Sequence, residues 1–279
     1  MTAVTAPVHD PRPAAMTPAQ RIETKLIEME ERLAAFCPPG MTPASVRHSV
    51  MMALGANRSL LDAKWESVVM SAVVITQWGL EIGRTAHIVP YKGVATPVAD
   101  YKGYIELMVA TRLVKHVNAK EIREADNFEY QEGDHPLIVH RPHWRDRNGP
   151  IIGAYCSIPT VMGGVIQEVM NLDEIEAIRR GSHQWNPNKV RDLPYWYARK
   201  TVIRRAAKSA PKSPRLALLT RLDYDDVPNE EALDTLSSGA MPQLTEGAPR
   251  YDEPARAPAI AQPANGYGAD DATDVEGIL

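Results

Sequence analysis

Residues 62–112 read DAKWESVVMSAVVITQW, then GLEIGRTAHIVPYKGVATPVAD, then YKGYIELMVATR. The first piece (62–78) is apolar around much of its helical circumference, the mark of a buried helix, and Gly79 is its natural stop. In the second piece AHIVPY and ATPVAD read as short strands on either side of Lys92-Gly93. The third (101–112) returns to helical spacing. A buried helix followed by a hairpin and a second helix places the chain in the α+β class.

The same signals extend outward. Before residue 62, Thr17-Pro18 and Thr42-Pro43 each pair an N-cap residue with proline at the first helical position. Ile22, Leu26, Met29 and Leu33 recur at helical spacing after the first, and Val46, Val50 and Leu54 after the second, with Gly55 as its stop. After residue 112, KHVNAKEIRE, NFEYQ and PLIVH are strand candidates. IIGAYCSI and GVIQEVM flank Gly163-Gly164 as a hairpin. Asn171 with Glu174 forms a capping box that opens a helix to about Arg180. Residues 194–210 form the next helix, and Ser213-Pro214 starts a short last one. The expected architecture is a small antiparallel β-sheet flanked by N-terminal and C-terminal helices.

Three regions follow. Residues 1–16, rich in Pro and Ala, read as a flexible arm, and residues 17–227 as the folded body. Residues 228–279 hold six Pro, five Gly and ten Ala and read as a disordered acidic tail. The 279-residue chain has a formal net charge of −4. That figure hides an asymmetry. The tail carries ten acidic and two basic residues, whereas residues 179–221 carry twelve Lys or Arg and a single acid, Asp192. Such a basic segment fits a polyanionic partner, with a solvated surface helix as the plain alternative. Two cysteines, Cys37 and Cys156, are too few for a disulfide framework or a four-thiolate metal site. No apolar run reaches the roughly 18 residues needed to cross a bilayer. The first residues lack the apolar core of a secretory signal. The expectation is a cytoplasmic protein.

The helix at 194–210 is the first candidate interface. At about 100° per residue, Trp196, Ile203, Ala207 and Ala210 share one face. Lys200, Arg204 and Lys208 form an adjoining row, with Arg205 and Tyr197 beside it. A row of cations at steps of four can meet successive phosphates. A second candidate lies around the hairpin, where Tyr91-Lys92 and Tyr101-Lys102 pair a ring with a cation, a combination suited to single-stranded nucleic acid.

Catalytic alternatives are thinner. Glu81, Asp100 and Lys102 could form the acidic-x-lysine element of a metal-dependent nuclease. His135, His140, His143 and Asp146 could ligate zinc. The phosphate-loop, dinucleotide, nucleophile-elbow and H-E-x-x-H patterns are absent from the sequence.

Taken in order, residues 45–215 resemble the RecT family of phage-type single-strand annealing proteins. Gln77-Trp78-Gly79-Leu80-Glu81 with Gly83 resembles its Q-x-G-L-E-x-G element, and Ala86-His87-Ile88-Val89-Pro90-Tyr91 its A-x-L-I-P-Y strand. Tyr101-Lys102-Gly103 with Ile105 and Leu107 resembles Y-K-G-x-I-x-L. Asp126-Asn127-Phe128-Glu129-Tyr130 with Gly133 resembles D-x-F-x-Y…G, His140 and Pro142 resemble H-x-P, and Met170 with Glu174-Ile175 resembles a later helix start. Lys200-Thr201-Val202-Ile203-Arg204-Arg205, with Pro211, resembles K-T-x-x-x-R…P. Asp100 stands where the family usually has glycine, and Tyr197 where it often has methionine.

The resemblance implies a recombinase that binds single-stranded DNA, anneals it without ATP, and acts as a ring or helical filament. No cofactor is then required, and Mg2+ enters only as a modulator. Implied partners are single-stranded DNA and the annealed duplex, further copies of the chain, an exonuclease and a host single-strand-binding protein, in a phage or bacterial setting. On this reading Tyr91, Lys92, Tyr101, Lys102, Lys200, Arg204, Arg205 and Lys208 line the DNA groove. A passive single-strand binder is the remaining alternative.

Overall fold

The computed structural model describes residues 16–182 and 192–221. Most of the expected arm and all of the acidic tail lie outside those residues. The chain opens with α1 (Pro18–Glu28), α2 (Glu30–Ala34) and α3 (Pro43–Ala56). The threonine-proline signals act as read. Thr17 accepts the N–H of Gln20 and Thr42 accepts that of Ser45, and both caps are closed by the reciprocal side-chain bond. α3 runs past Gly55 to Ala56 and is capped by Asn57.

A 3-10 turn (Arg58–Leu61) precedes α4 (Trp65–Trp78), so the buried helix starts three residues later than Asp62. Every residue of α4 from Ser67 to Trp78 is buried. Its two interior serines serve the neighbouring strand: Ser67 Oγ accepts the Ala95 N–H at 2.8 Å, and Ser71 Oγ donates to the Ala95 carbonyl at 2.9 Å. Gly79 ends the helix in the left-handed conformation at φ 73°. A side chain there would collide with the guanidinium of Arg215.

Next come β1 (Ala86–Tyr91) and β2 (Val94–Ala99), paired antiparallel from Ala86↔Ala99 to Tyr91↔Val94. The two-residue turn Lys92-Gly93 has positive φ at both positions, 46° and 77°, as a type I′ hairpin turn demands. Then follow α5 (Tyr101–Ala110), β3 (Asn118–Arg123), β4 (Asn127–Gln131), β5 (Leu137–Arg141), β6 (Ile151–Pro159) and β7 (Val165–Asn171). The chain closes with α6 (Leu172–Gly181), α7 (Tyr195–Ser209) and α8 (Pro214–Arg221). The fold is α+β and its named strands pair antiparallel. The strands are divided into three small sheets, β1-β2, β3-β6-β7 and β4-β5, rather than joined in one.

A continuous core runs from Ile22 and Leu26 of α1 through α4 to Ala206, Ala207 and Leu216. α7 lies between α5 and the sheet β3-β6-β7. Among the described residues, no helix is long and apolar enough to cross a membrane.

Candidate nucleic-acid interface

The sequence YWYARKTVIRRAAKS makes α7 a helix of good formers, preceded by Pro194 and followed, past Ala210, by Pro211. Its buried residues are Ala198, Thr201, Val202, Ile203, Arg204, Ala206 and Ala207. The small residues let the backbone approach its neighbours, and with neighbours on two sides the helix hides more than one stripe. Two sequence expectations change as a result. Trp196 does not join the apolar face; it is 52% exposed, while Ile203, Ala207 and Ala210 are buried as expected. Arg204 is not on an open row with Lys200 and Lys208; it is only 8% exposed.

Other arginines of α7 are committed to carboxylates. Arg205 holds Glu168 of β7 at 2.7 Å and Glu174 of α6 at 2.8 Å. The carboxyl of Glu174 is held below its usual range, first by the N–H of Asn171 and then by Arg205. Glu168 is pushed up by burial, against the pull of Arg205. Arg199 reaches Glu121 of β3 at 2.7 Å. Lys200 sits half-buried, 6.0 Å from the centre of the Tyr197 ring, and Lys208 is exposed.

The hairpin residues separate. Lys92 is at the turn of β1-β2, exposed, with its ammonium 5.4 Å from the Tyr91 ring centre. Tyr101 and Lys102 follow the far end of the same ladder. Five residue steps of about 3.3 Å keep the two pairs some 17 Å apart along the strands. Tyr101 packs against the core, and Lys102 is exposed at the start of α5. Asp100 is the cap of that helix, accepting the Lys102 N–H at 2.9 Å. Its other oxygen lies 3.6 Å from His87 Nε2. Glu81 pairs with Arg84. The acidic-x-lysine element is therefore a helix cap beside a surface ion pair.

The histidines of 135–146 also separate. His140 is buried between rings, edge-on to Phe128 and Tyr155, with Nε2 3.1 Å from Asp126. His143 contributes its backbone N–H to Asp126 at 2.8 Å. The carboxylate of Asp146 accepts the N–H of Asn148. Among the described residues, no group of three His, Cys, Asp or Glu is arranged to hold a metal ion.

What the sequence reading missed is the ionic network behind α7. The Asp126 carboxylate has no solvent exposure. It binds His140, the N–H groups of Arg123 and His143, and Arg147 at 3.1 Å. Burial works against its charge, but these donors outweigh burial and hold it at about 2. Glu121 collects Arg123, Arg147 and Arg199. Burial again opposes its charge, and the arginines hold its carboxyl below the usual range. The family pattern pointed to Asp126, but nothing local marked Glu121.

The motif residues of the middle segment are largely structural. Gln77, Trp78, Leu80, Gly103 and Tyr104 are all buried. A Cβ on Gly103 would stand 2.5 Å from the Thr85 carbonyl oxygen. The Y-K-G pattern thus records a close crossing of α5 over the β1 approach.

With this geometry in view, two comparisons bear on the chain. The model of the RecT family matches residues 44–235. The Protein RecT of Escherichia coli (strain K12) is 27% identical over 208 residues, covering 70% of this chain and 76% of that protein.

Proposed function

This chain belongs to the RecT family, a family of strand-annealing recombination proteins, and from that premise we propose that it anneals complementary DNA strands without ATP, as an oligomer. The observation that carries the reading is the extent of the match, which takes in essentially every element from α3 to α8. Strand pairing is downhill once bases stack. The protein has to neutralise phosphates and align strands, and no hydrolysis is needed for that. Mg2+ then modulates the reaction at most.

In the proposed groove, Lys200 and Lys208 of α7 meet phosphates, with Lys102 at the start of α5. Lys92, at the far end of the hairpin, extends the path. Tyr91 and Tyr101 shape it. Arg204 and Arg205 belong to the same helix but serve it differently: one is buried, and the other braces α7 against Glu168 and Glu174. Further copies of the chain lengthen the groove. An exonuclease that supplies single strands and a host single-strand-binding protein are the proposed partners, in the cytoplasm of a bacterial or phage-infected cell.

The test mixes complementary labelled oligonucleotides with the full chain, without ATP, with and without Mg2+. Faster duplex formation with intact strands is expected. Degradation that depends on Mg2+ would replace annealing with nuclease chemistry, and coating without acceleration would reduce the protein to a passive binder. If four phosphates are engaged per subunit, the log–log salt slope is near −3, at roughly −0.7 per contact. Lys200→Ala with Lys208→Ala should flatten that slope and weaken binding to all sequences alike.

A further inference from the structure

A cleft of about 830 Å3 lies between the β5–β6 loop and the start of α7. Arg147, Asn148 and Gly149 line it from the loop, and Leu193, Pro194 and Tyr195 line it from the helix. None of these residues belongs to the groove described above.

Both walls are firmly set. Asp126 fixes the loop by accepting the N–H of His143 at 2.8 Å and the guanidinium of Arg147 at 3.1 Å. Glu121 then ties loop to helix, binding Arg147 at 3.1 Å and Arg199 at 2.7 Å. On this frame three rings stand in solvent: Trp144 is 76% exposed, Tyr195 51% and Trp196 52%. Two of them carry an arginine. The guanidinium of Arg145 lies 5.2 Å from the centre of the Trp144 ring, and that of Arg199 lies 5.0 Å from the centre of the Tyr195 ring.

Burying a tryptophan or tyrosine is favourable, so a fold that keeps three exposed on pinned elements forgoes that gain. Rings that alternate with arginines on a rigid support are a stacking platform for bases. The cleft lining mixes apolar Ile151, Leu172 and Leu193 with Arg123, Arg147, Asn148, Glu176 and Asp192, a surface that can take the flat face of a base as well as its polar edge. The two carboxylates repel phosphate, and Arg123 and Arg147 are already bound to Glu121 and Asp126, so it is bases rather than backbone that the cleft suits.

We propose that this cleft and the loop that walls it are a second contact for single-stranded DNA, in which bases stack on Tyr195 within the cleft and on Trp144 of the β5–β6 loop outside its lining. The proposal rests on the annealing reading and deepens it. Stacking engages the faces of the bases and leaves their pairing edges open to an incoming strand.

The experiment measures binding of a labelled deoxythymidine oligonucleotide to the full chain by anisotropy, across a salt series. Trp144→Ala and Tyr195→Ala should each weaken binding about thirtyfold, the middle of the range for one stacked base. The salt slope should stay unchanged, because no phosphate contact is lost. Trp144→Phe should keep most of the affinity. An abasic oligonucleotide of equal length should bind the wild type as weakly as it binds Trp144→Ala. Should the alanine variant melt lower than the wild type, Trp144→Leu takes its place, since it keeps apolar volume without a ring.

Affinity within twofold of wild type in both ring variants overturns the proposal, as does equal binding of abasic and intact strands. A smaller oligomer with unchanged affinity per subunit, read by sedimentation, also overturns it and gives the rings to a protein contact. A wild-type chain that binds no single strand would instead sink the annealing reading itself.

Discussion

Around α4 the molecule is joined by apolar side chains, whereas around α7 it is joined by carboxylates. α4 is buried from Ser67 to Trp78, and its interior hydroxyls, Ser67, Ser71 and Thr76, bond locally or to β2. α7 is buried over much of its girth too, yet it carries Arg199, Arg204 and Arg205. Glu121, Glu168 and Glu174 reach it from β3, β7 and α6. The difference teaches that a run of cations in a sequence need not be a surface. Part of the charge on α7 assembles the fold, while Lys208 is exposed.

The sharpest way to break the comparison is at Glu121. Removing a buried carboxylate leaves its arginines uncompensated, at a cost of about 3–5 kcal/mol. Glu121→Ala takes one carboxylate from Arg123, Arg147 and Arg199 at once, leaving Arg147 with Asp126 and Arg123 with the Gly149 carbonyl, and should therefore be the most destabilising of these changes, read as the shift in a denaturant midpoint. A loss below about 1 kcal/mol would mean that the α7 region is held by packing, like the α4 region.

On the apolar side the matching test is Gly103→Ala. The added Cβ would lie 2.5 Å from the Thr85 carbonyl oxygen and 2.9 Å from Leu80. Backbone has to move, and overpacking of this kind costs about 1–3 kcal/mol. The same measurement checks it. Gly55→Ala is the control: nothing lies within 4 Å of the new Cβ, and the change should be neutral or mildly stabilising.

These two sites also mark what a sequence can and cannot disclose. Caps, turns and periodic apolar residues are local signals, and they located α1, α3, α4, the β1-β2 hairpin, the β6-β7 hairpin and α6 to within a few residues. Gly103 was visible as part of a motif, but its reason is a crossing partner at Thr85, eighteen positions away. Glu121 and Arg199 are 78 positions apart, and no local pattern links them. The division of the strands into three sheets has the same origin, since pairing depends on neighbours that periodicity does not name. Among the candidate contacts, Lys92, Lys102 and Lys208 are exposed as their charge suggests. Arg204 and Arg205 are claimed by tertiary structure, which a helical wheel of α7 alone does not contain.

A third test uses acid. Asp126 is held at about 2, against an ordinary 3.8. A carboxyl whose folded pKa is depressed adds stability above its unfolded pKa and loses it as pH falls through the folded one. At 1.36 kcal/mol per unit, the shift is worth about 2 kcal/mol at neutral pH, given up between about pH 4 and pH 2. Asp126→Asn should lose that amount at pH 7 and show a shallower decline of stability below pH 4. A variant whose acid limb runs parallel to the wild type would place the acid sensitivity elsewhere.

The smallest effect expected is at the caps, where the two regions use the same device. Thr42 opens α3 and Asn171 opens α6, each through a box closed by the third residue of the helix. Losing the cap side chain costs about 1 kcal/mol in either place, but the boxes differ in what hangs on them. The box partner of Thr42 is Ser45, a neutral hydroxyl on an exposed turn. The box partner of Asn171 is Glu174, whose carboxylate also receives Arg205. Thr42→Ala should therefore cost the cap alone and leave DNA binding unchanged. Asn171→Ala should cost the cap and also loosen the hold on Arg205. A double-mutant cycle of Asn171→Ala with Arg205→Ala should then show coupling above about 0.5 kcal/mol, while Thr42→Ala adds to Arg205→Ala without coupling. Equal additivity at both caps would mean that the carboxylates around α7 act one by one rather than as a connected brace.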